Sequence, residues 1–179
     1  MKKTVILFTA IILMAAAAQA SYFEVKASFF IPSETAFKDI YGSGLSYGGE
    51  VGFTLMPGVA LWAGGEYYTA DGQLTFSEES TEIQITPLWA GLKLSLPDTT
   101  ISPYVGVGIG YFLFKESNPI GTVKDGEIGF IGQVGVMFKV LSSLFVDFQG
   151  SYSICKVKPE DVEADLGGLR ATVGIGFEF

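Results

Sequence analysis

A chain of 179 residues with 19 acidic against 11 basic side chains carries a formal net charge of −8, a balance that argues against nucleic acid or heparin as partners. Its one cysteine, Cys155, excludes an intrachain disulfide. The lack of any histidine removes metal sites of the Cys/His kind.

The first twenty residues read as an address. Lys2 and Lys3 precede an apolar run over 5–18, interrupted only by Thr9, and Ala18-Gln19-Ala20 supplies a small-x-small cleavage site before Ser21. A retained single-span helix would need about 20 apolar residues. A lipid-anchored precursor would need cysteine where Ser21 stands. Residues 1–20 are therefore expected to be a signal peptide and 21–179 a single exported domain. Loss of Lys2 and Lys3 leaves nine basic against 19 acidic side chains, a mature net charge of −10.

Beyond Ala20 no stretch of about 18 apolar residues occurs, so no spanning helix is expected. Period-two alternation instead recurs eight times. The first strand, 22–31, sets Val25, Ala27, Phe29 and Ile31 against Glu24, Lys26 and Ser28. The second, 45–55, opposes Tyr47, Val51 and Phe53 to Gly48, Glu50 and Gly52; the third, 59–68, opposes Leu61 and Tyr67 to Trp62, Gly64, Glu66 and Tyr68. The fourth, 82–96, changes phase: Ile83 and Ile85 are apolar before Pro87, Leu88 to Leu94 after it, with Trp89, Gly91 and Lys93 opposite. One extra residue has this effect, which predicts a β-bulge at Pro87. The fifth, 101–114, sets Val105, Val107, Ile109, Tyr111 and Leu113 against Tyr104, Gly106, Gly108, Gly110 and Phe112. The sixth, seventh and eighth run over 127–140, 144–157 and 169–179, with Gln133, then Asp147, Gln149 and Cys155, then Arg170 and Thr172 on the polar face.

Connectors 32–44, 69–81, 115–126 and 158–168 are long and polar, whereas 56–58, 97–100 and 141–143 are short. This strict alternation fits an outer-membrane barrel with long external loops and tight periplasmic turns. A closed barrel also satisfies every backbone hydrogen bond in lipid. A soluble lipocalin-like barrel has the same period with the faces exchanged. Its narrow lumen would have to hold the whole Phe, Val, Ile and Leu set. The small polar set fits inside instead, with Gly52 expected opposite Trp62 and Gly108 opposite Trp89. Tyr22, Phe53, Tyr67, Phe138 and Phe145 fall near strand ends, as interfacial girdles require.

The stretch Pro103-Tyr104-Val105-Gly106-Val107-Gly108-Ile109-Gly110-Tyr111 and the ending Gly176-Phe177-Glu178-Phe179 give the chain its resemblance to known proteins. It resembles the small eight-stranded outer-membrane barrels of the OmpX, Ail and OmpA transmembrane-domain type. The resemblance implies an all-β, up-and-down transmembrane barrel in the cell outer membrane. It also implies that Val173, Ile175, Phe177 and Phe179 form the recognition signal for the barrel-assembly machinery. Outer-membrane lipid and lipopolysaccharide are the expected surroundings and a monomer the expected state. No peptidoglycan-binding domain follows the last strand, so a cell-wall tether is not expected.

Barrels of this size that act as lipid A deacylases, palmitoyltransferases, phospholipases or omptin proteases rely on a histidine. With none here, no catalytic residue, cofactor or metal is expected. Cys155 reads as a lumen filler, and Gly-x-Gly-x-Gly of the fifth strand lacks both the spacing and the helix of a dinucleotide site. Lys26, Glu50, Glu66, Asp147 and Arg170 all have lumen phase. Unpaired, each would cost several kcal/mol, so they are expected to form an ionic network, with Lys26 opposite Glu50. Such a network either fixes register or forms a gate whose pairs exchange. The acidic loops, with Glu78, Glu79, Glu82, Glu160, Asp161, Glu163 and Asp165, are solvated surface or bridge through divalent cations to lipopolysaccharide phosphate. The expected function is a structural or surface-interaction component of the outer membrane acting through its external loops. The alternative is a narrow path for ions or small apolar solutes, of OmpW type.

Overall fold

The computed structural model describes residues 21–73, 80–96, 100–119, 121–157 and 164–179. Strands β1 (Tyr22–Pro32), β2 (Gly44–Met56), β3 (Val59–Gln73), β4 (Ser80–Ser95), β5 (Ile101–Asn118), β6 (Gly121–Lys139) and β7 (Leu144–Ile154) follow one another, with helix α1 (Thr35–Tyr41) between β1 and β2. Two short strands, β8 (Lys156–Val157) and β9 (Ala164–Asp165), pair with each other outside the barrel, and β10 (Gly168–Glu178) completes it. Each barrel strand pairs antiparallel with its chain neighbour, and β10 closes on β1 from Tyr22↔Glu178 to Pro32↔Gly168. Eight strands are thus joined without an edge through the level that meets lipid.

The faces have the polarity of a membrane barrel. Val107, Ile109 and Phe130 are 67, 61 and 64 % exposed on the outside, while Glu24, Asp147 and Ser153 are 0 % exposed within. A soluble barrel would show the reverse.

Glycines make room for the aromatic filling. A Cβ on Gly52 would come within 1.8 Å of the Tyr22 ring, which pairs with it across β1 and β2. Gly52 also lies opposite Trp62, as expected. Gly108, by contrast, pairs with Gly91, and it is Gly110 that faces Trp89. The register differs by two residues because it is set by side-chain fit within the barrel: the Trp62 indole spreads over Gly108, 2.9 Å from where its Cβ would stand. At the turn between β2 and β3, Gly58 has φ +79° after Pro57, the pairing of residues that a tight turn with a left-handed third position favours.

Pro87 carries no bulge. Pairing of β4 with β5 runs in one register from Glu82↔Ser117 through Pro87↔Phe112 to Ser95↔Tyr104, and β3 pairs in one register on both sides of Pro87. Burial alternates without a break from Thr81 to Lys93. Ile83 and Ile85 point inward, on the same face as Trp89 and Lys93, so polarity changes along the strand while phase does not.

The external connectors are shorter than their polar sequences suggest. Residues 115–118 and 121–126 are strand: β5 and β6 pair out to Asn118↔Gly121. Likewise β3 and β4 pair out to Gln73↔Ser80. The seventh predicted strand ends at Ile154, and Cys155 separates it from β8. Tyr22 and Phe145 are 6 and 0 % exposed, so they fill the lumen and take no part in a girdle; Tyr67 does stand outside. The expected leader and its cleavage site, Ala18 to Ser21, fall outside the described residues up to Ala20, as do Glu78, Glu79, Glu160, Asp161 and Glu163.

Replacing Gly52 with leucine is expected to collide with Tyr22 and cost about 1–3 kcal/mol, the usual range for overpacking. The unfolding midpoint in urea, read by heat-modifiable gel mobility, measures this.

Candidate functional site

Two ionic clusters occupy the lumen. In the first, Lys26 donates to Glu50 Oε2 at 2.7 Å and to Gln149 Oε1 at 2.7 Å, and lies 3.6 Å from Glu24 Oε2. Lys93 donates to the other oxygen of Glu50, which also accepts the Tyr22 hydroxyl at 2.6 Å. Tyr104 donates to Asp147 Oδ2 at 2.7 Å. The Lys93 ammonium sits 4.3 Å from the centre of the Tyr104 ring and 5.1 Å from that of Tyr22. Gln149 in turn donates to Gln133.

The second cluster is built on Glu66. It accepts Ser28 at 3.0 Å and Ser46 at 2.9 Å, and pairs with Arg170 Nε at 3.3 Å. Arg170 Nη1 donates to Ser153 at 2.8 Å, and its guanidinium lies over Phe30 and Trp89 at 4.3 and 5.2 Å. Lys93 and Arg170 therefore each meet both a carboxylate and an aromatic face, whereas Lys26 is held by carboxylates and the Gln149 amide.

All five residues expected in the lumen are there, divided between these clusters. Lys26 and Glu50 touch, although not as strand partners: Lys26 pairs with Gly48 and Glu24 with Glu50. The long external connector left that register open, and the lysine stem spans the two-residue offset. Glu24 and Lys93 are further members that reasoning on the sequence left out. The alternation had already put both on the inner face, so their charge was the available signal.

Aromatic packing closes the clusters at either end. Tyr22, Tyr104, Met137 and Phe145 form one buried group. Phe30, Tyr68, Ile83, Ile85 and Phe114 form part of the other, with Phe37 and Tyr41 of α1 resting on them. Between the clusters remains a cavity of about 10 Å³ bordered by Lys26, Glu50, Glu66 and Gln149, roughly the least that admits one water. Among the described residues no group of three or more Cys, Asp or Glu is placed to hold a metal ion. Cys155 is buried, and its thiol is 3.8 Å from the Glu127 carbonyl oxygen.

Tyr41 anchors α1, which lies as a lid on this end of the lumen, by hydrogen bonds to Glu116 Oε1 at 2.8 Å and the Thr81 hydroxyl at 3.1 Å. Burial, helped by the Glu116 carboxylate and opposed by Thr81, pushes its phenol up to about 12.

With this geometry in view, the relatives can be placed. The family model described as "Outer membrane protein beta-barrel domain" matches residues 4–179. The chain belongs to that family. It is an outer-membrane protein. No curated protein is similar enough in sequence to count as a relative. Among solved structures, Neisserial surface protein A (NspA) is similar over 88 % of this chain and 96 % of its own, at 16 % identity and TM-score 0.67. OprG from Pseudomonas aeruginosa matches 90 % of this barrel and 97 % of itself, at 12 % identity and TM-score 0.67. Ail of Yersinia pestis, solved with the heparin analogue sucrose octasulfate, matches 88 and 97 % at 12 % identity and TM-score 0.61. At these identities the likeness is one of fold.

Lys26→Met is expected to strand Glu24 and the Gln149 carbonyl, while Glu50 keeps Lys93 and Tyr22, and to cost about 3–5 kcal/mol, as removal of one partner from a buried pair does; an unchanged urea midpoint would refute structural pairing. For the lid, the raised Tyr41 phenol contributes stability that is intact below pH 10 and lost as pH climbs toward about 12. The stability difference between wild type and Tyr41→Phe should therefore shrink across that window, as measured by urea titrations at stepped pH.

Proposed function

We propose that this chain is a non-enzymatic barrel of the outer membrane with a structural and surface-interaction role carried by its external rim. The observation that carries this reading is the filled lumen. From Tyr104 and Phe145 through the two ionic clusters to Phe112, Phe30 and α1, the lumen holds buried side chains in apolar, hydrogen-bond and ion-pair contact. Eight strands leave an interior that side chains just fill, and here large ones do.

The lumen carboxylates Glu50 and Glu66 are already taken by ammonium, guanidinium and hydroxyl donors, which speaks against their use as bases. The rim is different. Strands β3 to β6 project past the ends of β2 and β7: pairing of β6 with β7 begins only at Phe130↔Ile154, whereas β5 and β6 continue to Asn118↔Gly121. The projecting sheet is exposed from Thr122 to Asp125 and at Glu127 and Ile128. Its free edge is guarded, since the amides of Gly126 and Ile128 are held by the carboxylates of Asp125 and Glu127, a device that limits unspecific strand addition. Any partner outside the cell meets this ledge and α1 first. The outward row Val173, Ile175, Phe177 and Phe179 at the end of the chain suits the assembly-signal role that the family resemblance suggests.

Planar-bilayer recording tests the sealed-lumen reading. No discrete conductance is expected; reproducible unit steps, or uptake of a small apolar solute into vesicles, would replace it with the narrow-path reading. Turnover of lipid by the purified barrel would overturn the non-enzymatic one.

A further inference from the structure

The outer wall carries a column of side chains that the lumen does not explain. Leu88, Tyr111 and Ile128 lie side by side on β4, β5 and β6. One layer toward the membrane centre, Ala90 and Ile109 are partners. The small Ala90 and Gly110 leave a groove of about 420 Å³ among these residues, with Trp89 at its floor. Above it comes Leu113, the last apolar residue on the outer face of β5. Two residues farther out, the same three strands bring Gln84, Lys115 and Lys124 into one row.

The two lysines are unusual for this rim. Neither makes an ion pair or hydrogen bond with any described residue, although the mature chain carries an excess of acid. The nearby carboxylates are engaged elsewhere: Glu82 accepts the Gln84 amide at 2.7 Å, Asp125 the Gly126 amide at 2.8 Å, and Glu127 the Ile128 amide at 3.1 Å. A strand rises about 3.4 Å per residue and tilts by about 45°, so the lysines stand roughly 5 Å above Leu113, at the level of lipid headgroups. The groove below opens only toward hydrocarbon.

We propose that this column binds one phosphorylated glycolipid of the outer leaflet, of lipid A type. An acyl chain lies in the groove at Ala90 and Gly110, and Lys115 and Lys124 bind headgroup phosphate as two adjacent point charges. The apolar groove needs a chain at this depth, and the unpaired cations directly above need an anion attached to it. A phosphorylated amphiphile supplies both in one molecule.

Ile128→Trp, on the lipid-facing wall of the groove, provides the readout and serves as the parent for the variants below, because Trp62 and Trp89 are buried in the lumen at 1 and 8 % exposure. In vesicles of acyl-brominated phosphatidylcholine, a brominated chain in the groove quenches this introduced indole. Titrating in bisphosphorylated lipid A should displace that chain and restore fluorescence. Lys115→Met with Lys124→Met should raise the mole fraction needed about 30-fold, the combined effect of two lysines near anionic lipid. Ala90→Phe fills the groove from outside the barrel wall and should abolish the recovery. Heat-modifiable mobility checks that both variants form closed barrels; their changes face outward, away from the core. Equal recovery with dephosphorylated lipid A, or a titration by either variant that matches the parent, would overturn the proposal. So would recovery produced by inorganic phosphate alone, which would mean an anion site without a lipid.

Discussion

The hydrocarbon of the membrane leaves the backbone one way to cross with strands: every amide and carbonyl must find its partner on a neighbouring strand. Closure of β10 onto β1 meets that demand, and the rest of the molecule follows from it. Eight strands enclose a narrow interior, so inward positions must share very little volume. Bulky rings therefore alternate with glycine across the sheet, as where the Tyr22 ring takes the space above Gly52 and the Phe145 ring that above Gly176. Lipid outside supplies no hydrophobic drive toward the centre, which leaves polar contacts and packing to specify the inside.

The two ionic clusters act as such a specification. Lys26 on β1 reaches Glu50 on β2 and Gln149 on β7; Lys93 on β4 reaches Glu50; Arg170 on β10 reaches Glu66 on β3 and Ser153 on β7. These bonds cross the lumen as well as linking neighbours, so slippage of one strand would break contacts to several others. A two-residue slip preserves which face is inside, and hydrophobic pattern alone would tolerate it. Charged groups in defined pairs do not, because an unpaired buried ion costs several kcal/mol. The clusters thus exclude the register errors to which alternation is blind.

That same blindness marks the limit of what was legible in the sequence. Period two showed the strands, their number and their faces, since a side chain's side of the sheet depends only on parity. It placed Lys26, Glu50, Glu66, Asp147 and Arg170 in the lumen for the same reason. Which residue lies opposite which depends on packing between strands distant in sequence, and there the reading failed: Gly110 lies across from Trp89 where Gly108 was expected, and Gly48 across from Lys26. Strand ends were also illegible at the hairpins. The polar stretch 115–126 has a loop's composition, yet 115–118 and 121–126 pair as strands, because water on both sides of a projecting hairpin removes the apolar signal.

Pro87 shows a related ambiguity with a physical resolution. An apolar row that moves from odd to even positions can mean an inserted residue, or it can mean that the solvent outside has changed. Along β4 the outer face reads Glu82, Gln84, Thr86, then Leu88, Ala90, Leu92 and Leu94, while the inner face reads Ile83, Ile85, Pro87, then Trp89, Gly91 and Lys93. Inside the membrane lipid lies outside and the lumen takes polar groups; beyond it water lies outside, and apolar groups must turn inward to be buried. Neighbouring strands make the same exchange at the same height. On β5 the outer face passes from Leu113 to Lys115 as the inner passes from Gly110 to Phe112 and Phe114, and on β1 the inner face passes from Ser28 to Phe30. A bulge would concern one strand only. A crossover shared around the barrel concerns the medium, and it draws the outer boundary of the hydrocarbon just above Leu88, Tyr111 and Leu113. The aromatic and aliphatic cap beneath α1 is therefore a small soluble core that starts where the bilayer stops, built from strands that never change phase.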